Sequence, residues 1–243
     1  MECTRLNRYG LLAVSGADAR DFLHAQLTND IAQLPADRAA LAGWCTAKGR
    51  LLASLLVIPS PEGFLLQLAR DIVASTAKRL SMYVLRSKVK ISDESDRLIQ
   101  LGVWTSEWDI PDVAWDGANV RVRVAEQRFL HIGPGLSAAA CTKHEEAWVL
   151  DEIRAGRALI SAATQDKFVP QMVNFEKLGA ISFQKGCYPG QEIVARAQYR
   201  GEVKRRLVHV QAPPGLQLQP GQEFNGGVVV DSAAGEALAV MPV

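Results

Sequence analysis

The sequence is poor in most of the features that assign a function quickly. It has only four cysteines, Cys3, Cys45, Cys141 and Cys187, and no two form a C-x-x-C pair. That spacing argues against a zinc ribbon, a thioredoxin-like motif and a disulfide framework, and it suits a reducing cytoplasm. Neither sign of charge is in excess, with 27 Lys plus Arg against 26 Asp plus Glu. The whole molecule therefore sets up no field that would steer it to nucleic acid or to an acidic membrane, and any polyanion must bind locally. Long apolar runs are missing too. The longest, Leu51 to Ile58, is interrupted by Ser54, and a membrane-spanning helix needs about 20 residues. Met1 to Arg8 has no apolar signal core, so a soluble, unprocessed, cytoplasmic chain is expected. The four histidines, His24, His131, His144 and His209, show neither metal-ligand spacing nor an evident partner for a nucleophile. No metal is expected, and no catalytic base can be named. Gly133 to Ala138 fits G-x-G-x-x-A, but Pro134 removes an N–H that a pyrophosphate would need and no βαβ context precedes it.

What is present is the length and alternation of a mixed fold. The 243 residues suffice for roughly two domains. Tyr9 to Val14 is a short apolar run, and Ser15 followed by Asp18 reads as a capping box. Ala19, Phe22, Leu23 and Leu27 then give a helix one apolar face. From Ala39 the texture changes to strands over 39–45, 50–58 and 64–68, separated by turns at Thr46 to Gly49 and Pro59 to Gly63. Ile72, Val73, Thr76, Leu80 and Val84 recur at helical spacing, and Lys88 to Ser92 alternates like an edge strand. Further strands are expected near 98–104, 119–124 and 128–132, then a helix over Glu145 to Ala155 ended by Gly156. After Val203 the pattern returns to β at 204–210 and 227–230, around a segment rich in Pro, Gly and Gln. These elements make an α+β fold with mostly antiparallel sheets.

The segment Lys185-Gly186-Cys187-Tyr188-Pro189-Gly190-Gln191-Glu192 is the most informative. Two glycines and a proline bracket one cysteine, and 191–198 reads as helical. Cys187 is thus expected just ahead of a helix N-terminus with Lys185 beside it, a setting that favours a thiolate. The plain alternative is a small buried hydrophobe. Glu192 and Arg196, four apart, can equally form a surface pair.

This segment resembles the signature of the YgfZ-type folate-binding proteins, which are related to the glycine cleavage T-protein. Gly16-Ala17-Asp18, Leu27-Thr28-Asn29-Asp30, Ala47-Lys48-Gly49-Arg50, Ser87-Lys88-Val89, Val169-Pro170-Gln171 with Asn174, and Arg200-Gly201 with Lys204-Arg205 extend the resemblance from about Tyr9 to Arg206. It implies a T-protein-like cloverleaf of antiparallel-sheet domains holding tetrahydrofolate, with a small C-terminal β module. The implied domains are 1–38 plus 94–180, a discontinuous folate-binding-type α+β domain; 39–93, an inserted β-β-β-α-β domain; 181–202, the signature segment; and 203–243, a short C-terminal β domain. Cys187, Lys185 and Glu192 become the candidate catalytic residues, and Tyr9, Trp148, Asn29, Gln171, Asn174 and Arg196 the candidate folate contacts. Core packing accounts for Trp148 equally well, and turn capping for the polar residues. The basic run Arg196, Arg200, Lys204, Arg205 and Arg206 suits a polyglutamate tail, an RNA backbone or a protected strand edge. The family is associated with keeping iron-sulfur enzymes active, tRNA-modifying ones among them, so such clients are the expected partners. Two alternatives remain open: a folate-dependent aminomethyltransferase, and a non-catalytic folate-binding adapter. Ala53 and Ser54 stand where the T-proteins carry an acidic pair, which weakens the first.

Overall fold

The computed structural model describes residues 1–201 and 203–243. In chain order it contains β1 (Glu2–Arg5), β2 (Tyr9–Ser15), α1 (Ala19–Gln26), β3 (Ala40–Cys45), β4 (Leu51–Ser60), β5 (Gly63–Ala69), a 3-10 turn (Arg70–Ile72), α2 (Val73–Ser81), β6 (Lys90–Asp93), β7 (Ile99–Trp104), β8 (Val113–Asp116), β9 (Asn119–Ala125) and β10 (Arg128–Gly133). There follow α3 (Glu145–Arg154), a 3-10 turn (Pro170–Val173), α4 (Gln191–Tyr199), β11 (Arg205–Gln211), β12 (Glu223–Phe224), β13 (Gly227–Ala233) and β14 (Glu236–Pro242). Helices mixed with antiparallel sheets give the expected α+β class. Among the described residues no helix is long and apolar enough to cross a membrane.

The chain divides into two compact units. Unit 1 comprises Met1–Phe22, Ala32–Ala40 and Leu56–Trp148. One of its sheets runs β1-β7-β10-β9-β8. In the other, the second half of β4 pairs with β5, β5 with β2, and β2 with the edge strand β6. β2 is covered on both sides, so Leu11, Leu12 and Val14 are fully buried and the run reads as continuous rather than alternating. Three expectations are corrected in this unit. Ser15 ends β2 and α1 begins only at Ala19, while Asp18 Oδ2 accepts the Lys88 N–H at 2.6 Å; the carboxylate anchors a loop, and no capping box forms. α2 stops at Ser81, and Tyr83 and Val84 continue in tighter turns on Leu80 and Ser81. Cys3 and Cys141, which their spacing left unpaired, are joined by a disulfide across 138 residues. β1 brings them together, because the Cys3 carbonyl also accepts the Lys143 N–H at 3.1 Å.

Unit 2 comprises Leu23–Ile31, Leu41–Leu55 and Val149–Val243. Here β3 and the first half of β4 form a hairpin closed by the Thr46 to Gly49 turn, with the Gly49 N–H on the Thr46 carbonyl at 2.9 Å. A four-stranded sheet, β11-β14-β13-β12, makes the C-terminal module. Its core continues into Ile153, Ile160, Phe168, Val173, Phe175 and Val194, all buried. β14, unread in the sequence, is an interior strand of this sheet, pairing with both β11 and β13.

Candidate functional site

In unit 2 the signature segment is laced to the stretch after α1. Thr28 Oγ1 donates to the Ala180 carbonyl at 2.7 Å and accepts the Gly43 N–H at 2.7 Å. The Ser182 N–H reaches the Thr28 carbonyl at 2.9 Å. Asn29 Nδ2 donates to the carbonyls of Leu41 and Gly179, both at 2.8 Å. Leu27-Thr28-Asn29-Asp30 and the segment entering the Cys187 loop are therefore one hydrogen-bonded body.

Lys185 fixes that body from inside. It is 7% exposed, and its ammonium donates to the carbonyls of His24 and Leu27, the latter at 2.8 Å. These carbonyls belong to the last turn of α1 and the residue just after it, where an ammonium also meets the negative end of the helix dipole. Burial pulls the Lys185 ammonium down to about 8, against the opposing pull of Asp30 and Cys187. The Tyr188 ring lies 4.8 Å below the same nitrogen, and burial pushes its phenol up.

Past Lys185 the chain turns tightly. The Gln191 N–H closes on the Tyr188 carbonyl at 3.1 Å and Gly190 holds φ +81°, so α4 opens with no side-chain cap. Gly190 also presses against the β3–β4 turn, where a Cβ would stand 2.5 Å from Gly49 Cα. A third segment holds α4 from beneath: fully buried Gln171 donates Nε2 to the Val194 carbonyl at 2.6 Å. Its Oε1 is enclosed without a hydrogen-bond partner among the described residues. Asn174, at φ +59°, donates to the Leu207 carbonyl at 2.9 Å. Arg206 NH1 donates to the Gln171 carbonyl at 2.8 Å and pairs with Glu176, so this member of the basic run is internal.

Cys187 itself is exposed, whereas the other free cysteine, Cys45, is buried and its thiol pushed up to about 12 by desolvation. Glu192 and Arg196 are exposed on α4. Seven of the nine candidate residues, Cys187, Lys185, Glu192, Asn29, Gln171, Asn174 and Arg196, thus belong to unit 2. Tyr9 and Trp148 belong to unit 1. The Tyr9 carbonyl accepts Gln100 Nε2 at 2.9 Å, and Gln67 donates to Gln100 Oε1 at 2.8 Å, a buried amide chain. Trp148 is 2% exposed and meets Trp104 edge to face at 5.4 Å. The Arg128 guanidinium stands over its ring, and Gly102 lies so close that a Cβ there would be 2.8 Å from Trp148 Cδ2. Sequence reasoning missed His24, whose Nδ1 lies 3.2 Å from Asp30 Oδ1. The spacing of six residues held the signal, but it carries no meaning without the turn after α1. Among the described residues no group of three His, Cys, Asp or Glu could hold a metal ion.

This arrangement has the fold of the glycine cleavage T-protein. The aminomethyltransferase T of the glycine cleavage system from Bartonella henselae superposes with a TM-score of 0.74 over 99% of this chain and 78% of its own, at 15% identity. No family model matches the chain. The tRNA-modifying protein YgfZ of Serratia proteamaculans is 32% identical over 94% of this chain and 79% of its own length. That of Escherichia coli is 32% identical over 83% of this chain and 69% of its length. The chain belongs to the YgfZ family of tRNA-modifying proteins.

Proposed function

We propose that this protein binds tetrahydrofolate in the cytoplasm and supports the maturation or repair of iron-sulfur enzymes, tRNA-modifying ones included, with Cys187 as its functional centre. The observation that carries the reading is the kinship with YgfZ over nearly the whole chain, combined with a signature cysteine that is exposed while the lysine beside it is buried. A folate needs an aromatic surface, acceptors for its ring N–H groups and cations for its glutamate tail. In our reading Tyr9 and Trp148 are the aromatic candidates of unit 1, while in unit 2 Gln171 and Asn174 with Asn29 are candidates for the second role and Arg196 for the third. The enclosed Oε1 of Gln171 fits this role, being a carbonyl oxygen with no donor that a ring N–H would satisfy. Bound, the folate would supply or accept a one-carbon group. Glycine cleavage chemistry itself is disfavoured, because Ser54, standing where the T-proteins carry an acid, is 8% exposed and accepts the Ile160 N–H at 2.9 Å. Neither it nor Ala53 can hold a reacting ammonium.

Titration calorimetry with tetrahydrofolate tests the proposal. Micromolar-order affinity, about 8 kcal/mol, is expected, and Trp148→Ala should weaken it about tenfold or more, the loss of a large aromatic contact. No heat and no thermal protection at saturating folate would sink it. Sustained formation of methylene-tetrahydrofolate from an aminomethylated lipoyl carrier would restore the aminomethyltransferase.

A further inference from the structure

We propose that His24, oriented by Asp30, is the proton acceptor of the Cys187 thiol; the proposal rests on Cys187 being the functional centre. His24, Asp30 and Lys185 are joined at the end of α1, and Cys187 lies two residues after Lys185. His24 Nδ1 lies 3.2 Å from Asp30 Oδ1. The opposite ring nitrogen, Nε2, lies 3.8 Å from the point where a Cβ on Gly186 would stand, and Cys187 is the next residue. The Lys185 ammonium is near enough to interact with the charges of both Asp30 and Cys187.

The chemistry follows from the tautomer. A carboxylate accepting from Nδ1–H keeps the imidazole proton there and leaves the lone pair on Nε2. The Cys187 S–H bond can then break with its proton bonding to Nε2 and its electron pair staying on sulfur. The imidazolium so formed faces a carboxylate on one side and a thiolate on the other, a Cys–His arrangement that activates sulfur nucleophiles. Lys185 is the positioning residue. Its backbone carries the cysteine loop, and its ammonium grips the carbonyl of His24 itself, 161 residues away in sequence. One side chain therefore holds both partners, and with its hydrogens directed at two carbonyls it is not the acceptor. Among the described residues, Asp30 pairs with the His24 ring and the Lys185 ammonium holds the His24 carbonyl.

The test is alkylation of the full chain by iodoacetamide as a function of pH, with Cys187 followed by mass spectrometry and the melting temperature recorded for each variant. Near pH ~7 the wild type should react roughly tenfold faster at Cys187 than His24→Gln, whose rate curve should move toward higher pH. Asp30→Asn should move it in the same direction by less. Both variants keep the backbone carbonyl that Lys185 holds, so their melting temperatures should stay near the wild type. Superimposable curves for wild type and His24→Gln overturn the proposal. If His24→Gln fails to fold, an Asp30→Asn curve that matches wild type overturns it as well. The assay contains neither folate nor client enzyme, so failure to bind folate and failure of this pair are separate results.

Discussion

Two lysines stand next but one to a cysteine, and the molecule treats them in opposite ways. In unit 1, Cys141 is tied to Cys3 while Lys143, two residues on, reaches the surface, where it pairs with Glu2 at 2.8 Å and covers Trp104 at 4.4 Å. In unit 2, Lys185 is tied down on two helix-end carbonyls while Cys187 is left exposed. The same pair of residue types thus makes a staple in one place and an exposed thiol beside an anchored ammonium in the other. Lys185 is buried, whereas Cys141 and Lys143 are both only partly buried. A buried ammonium needs carbonyls at its tip, and Lys185 has those of His24 and Leu27.

The comparison can be broken first at the staple. Replacing Cys3 and Cys141 together by Ser removes a bridge across 138 residues, and long-loop bridges contribute about 2 to 5 kcal/mol. Trp104, Trp108, Trp115 and Trp148 all lie in unit 1, so tryptophan fluorescence in urea should show the lowered midpoint, with Cys187 alkylation unchanged. An unchanged midpoint would mean that the bridge does not stabilise this unit.

Lys185→Met should come next, at about 2 kcal/mol near neutral pH, since it leaves the carbonyls of His24 and Leu27 without this donor. Its pH dependence has a definite sign. Lys185 is held at about 8 in the folded chain, whereas an unfolded lysine titrates near ~10.4. Between those values the unfolded state binds more protons, so wild-type stability rises with pH relative to Lys185→Met, by on the order of 3 kcal/mol across the window. Unfolding free energies of the two proteins at pH ~7.5 and ~10 measure this, and a gap that narrows with rising pH contradicts the buried-ammonium account.

The smallest effect is expected at Glu236, which joins β14 to α3. Its carboxylate accepts from Arg154 at 2.5 Å and lies 2.6 Å from His209 Nε2. The hydrogen bond from Arg154, opposed by desolvation, holds it below the usual carboxylate range. That contribution is present above the unfolded carboxylate value, near ~4.3, and fades as pH falls through the lower folded one. The melting-temperature difference between wild type and Glu236→Gln should accordingly be small near pH ~7 and vanish in acid, as for other exposed pairs.

Much of the fold was legible. β2, β3, β4, β5, β9, β10, β11, α3 and α4 fall within a few residues of where periodicity and turn chemistry put them. The strands that were missed have one of two causes. Glu2–Arg5 and Val113–Asp116 are four residues each, too short for alternation to register, and Glu236–Pro242 is rich in alanine and poor in β-branched residues, so only its two neighbours make it a strand. For the site, the glycines and proline around Cys187 marked the turn correctly. Lys185 read as a neighbour of the thiolate because its chain position is local, yet its partners lie 161 and 158 residues away. The disulfide was hidden for the same reason, its partners lying 138 residues apart, whereas the His24–Asp30 pair is local and was missed because the turn after α1 that closes it was not read.

The back-to-back glycines at the signature turn have one more implication. Gly49 and Gly190 both hold positive φ, and each occupies the space a side chain on the other would need: a Cβ on Gly49 would stand 3.1 Å from the Gly190 carbonyl. A substitution at either cannot be rescued by changing the other, because glycine is already the smallest choice. In a saturation library the pair should behave as a single locked position, intolerant at both codons, while the adjoining exposed Lys48 accepts nearly any residue. Any attempt to graft the cysteine loop onto another scaffold must therefore transplant the β3–β4 hairpin with it.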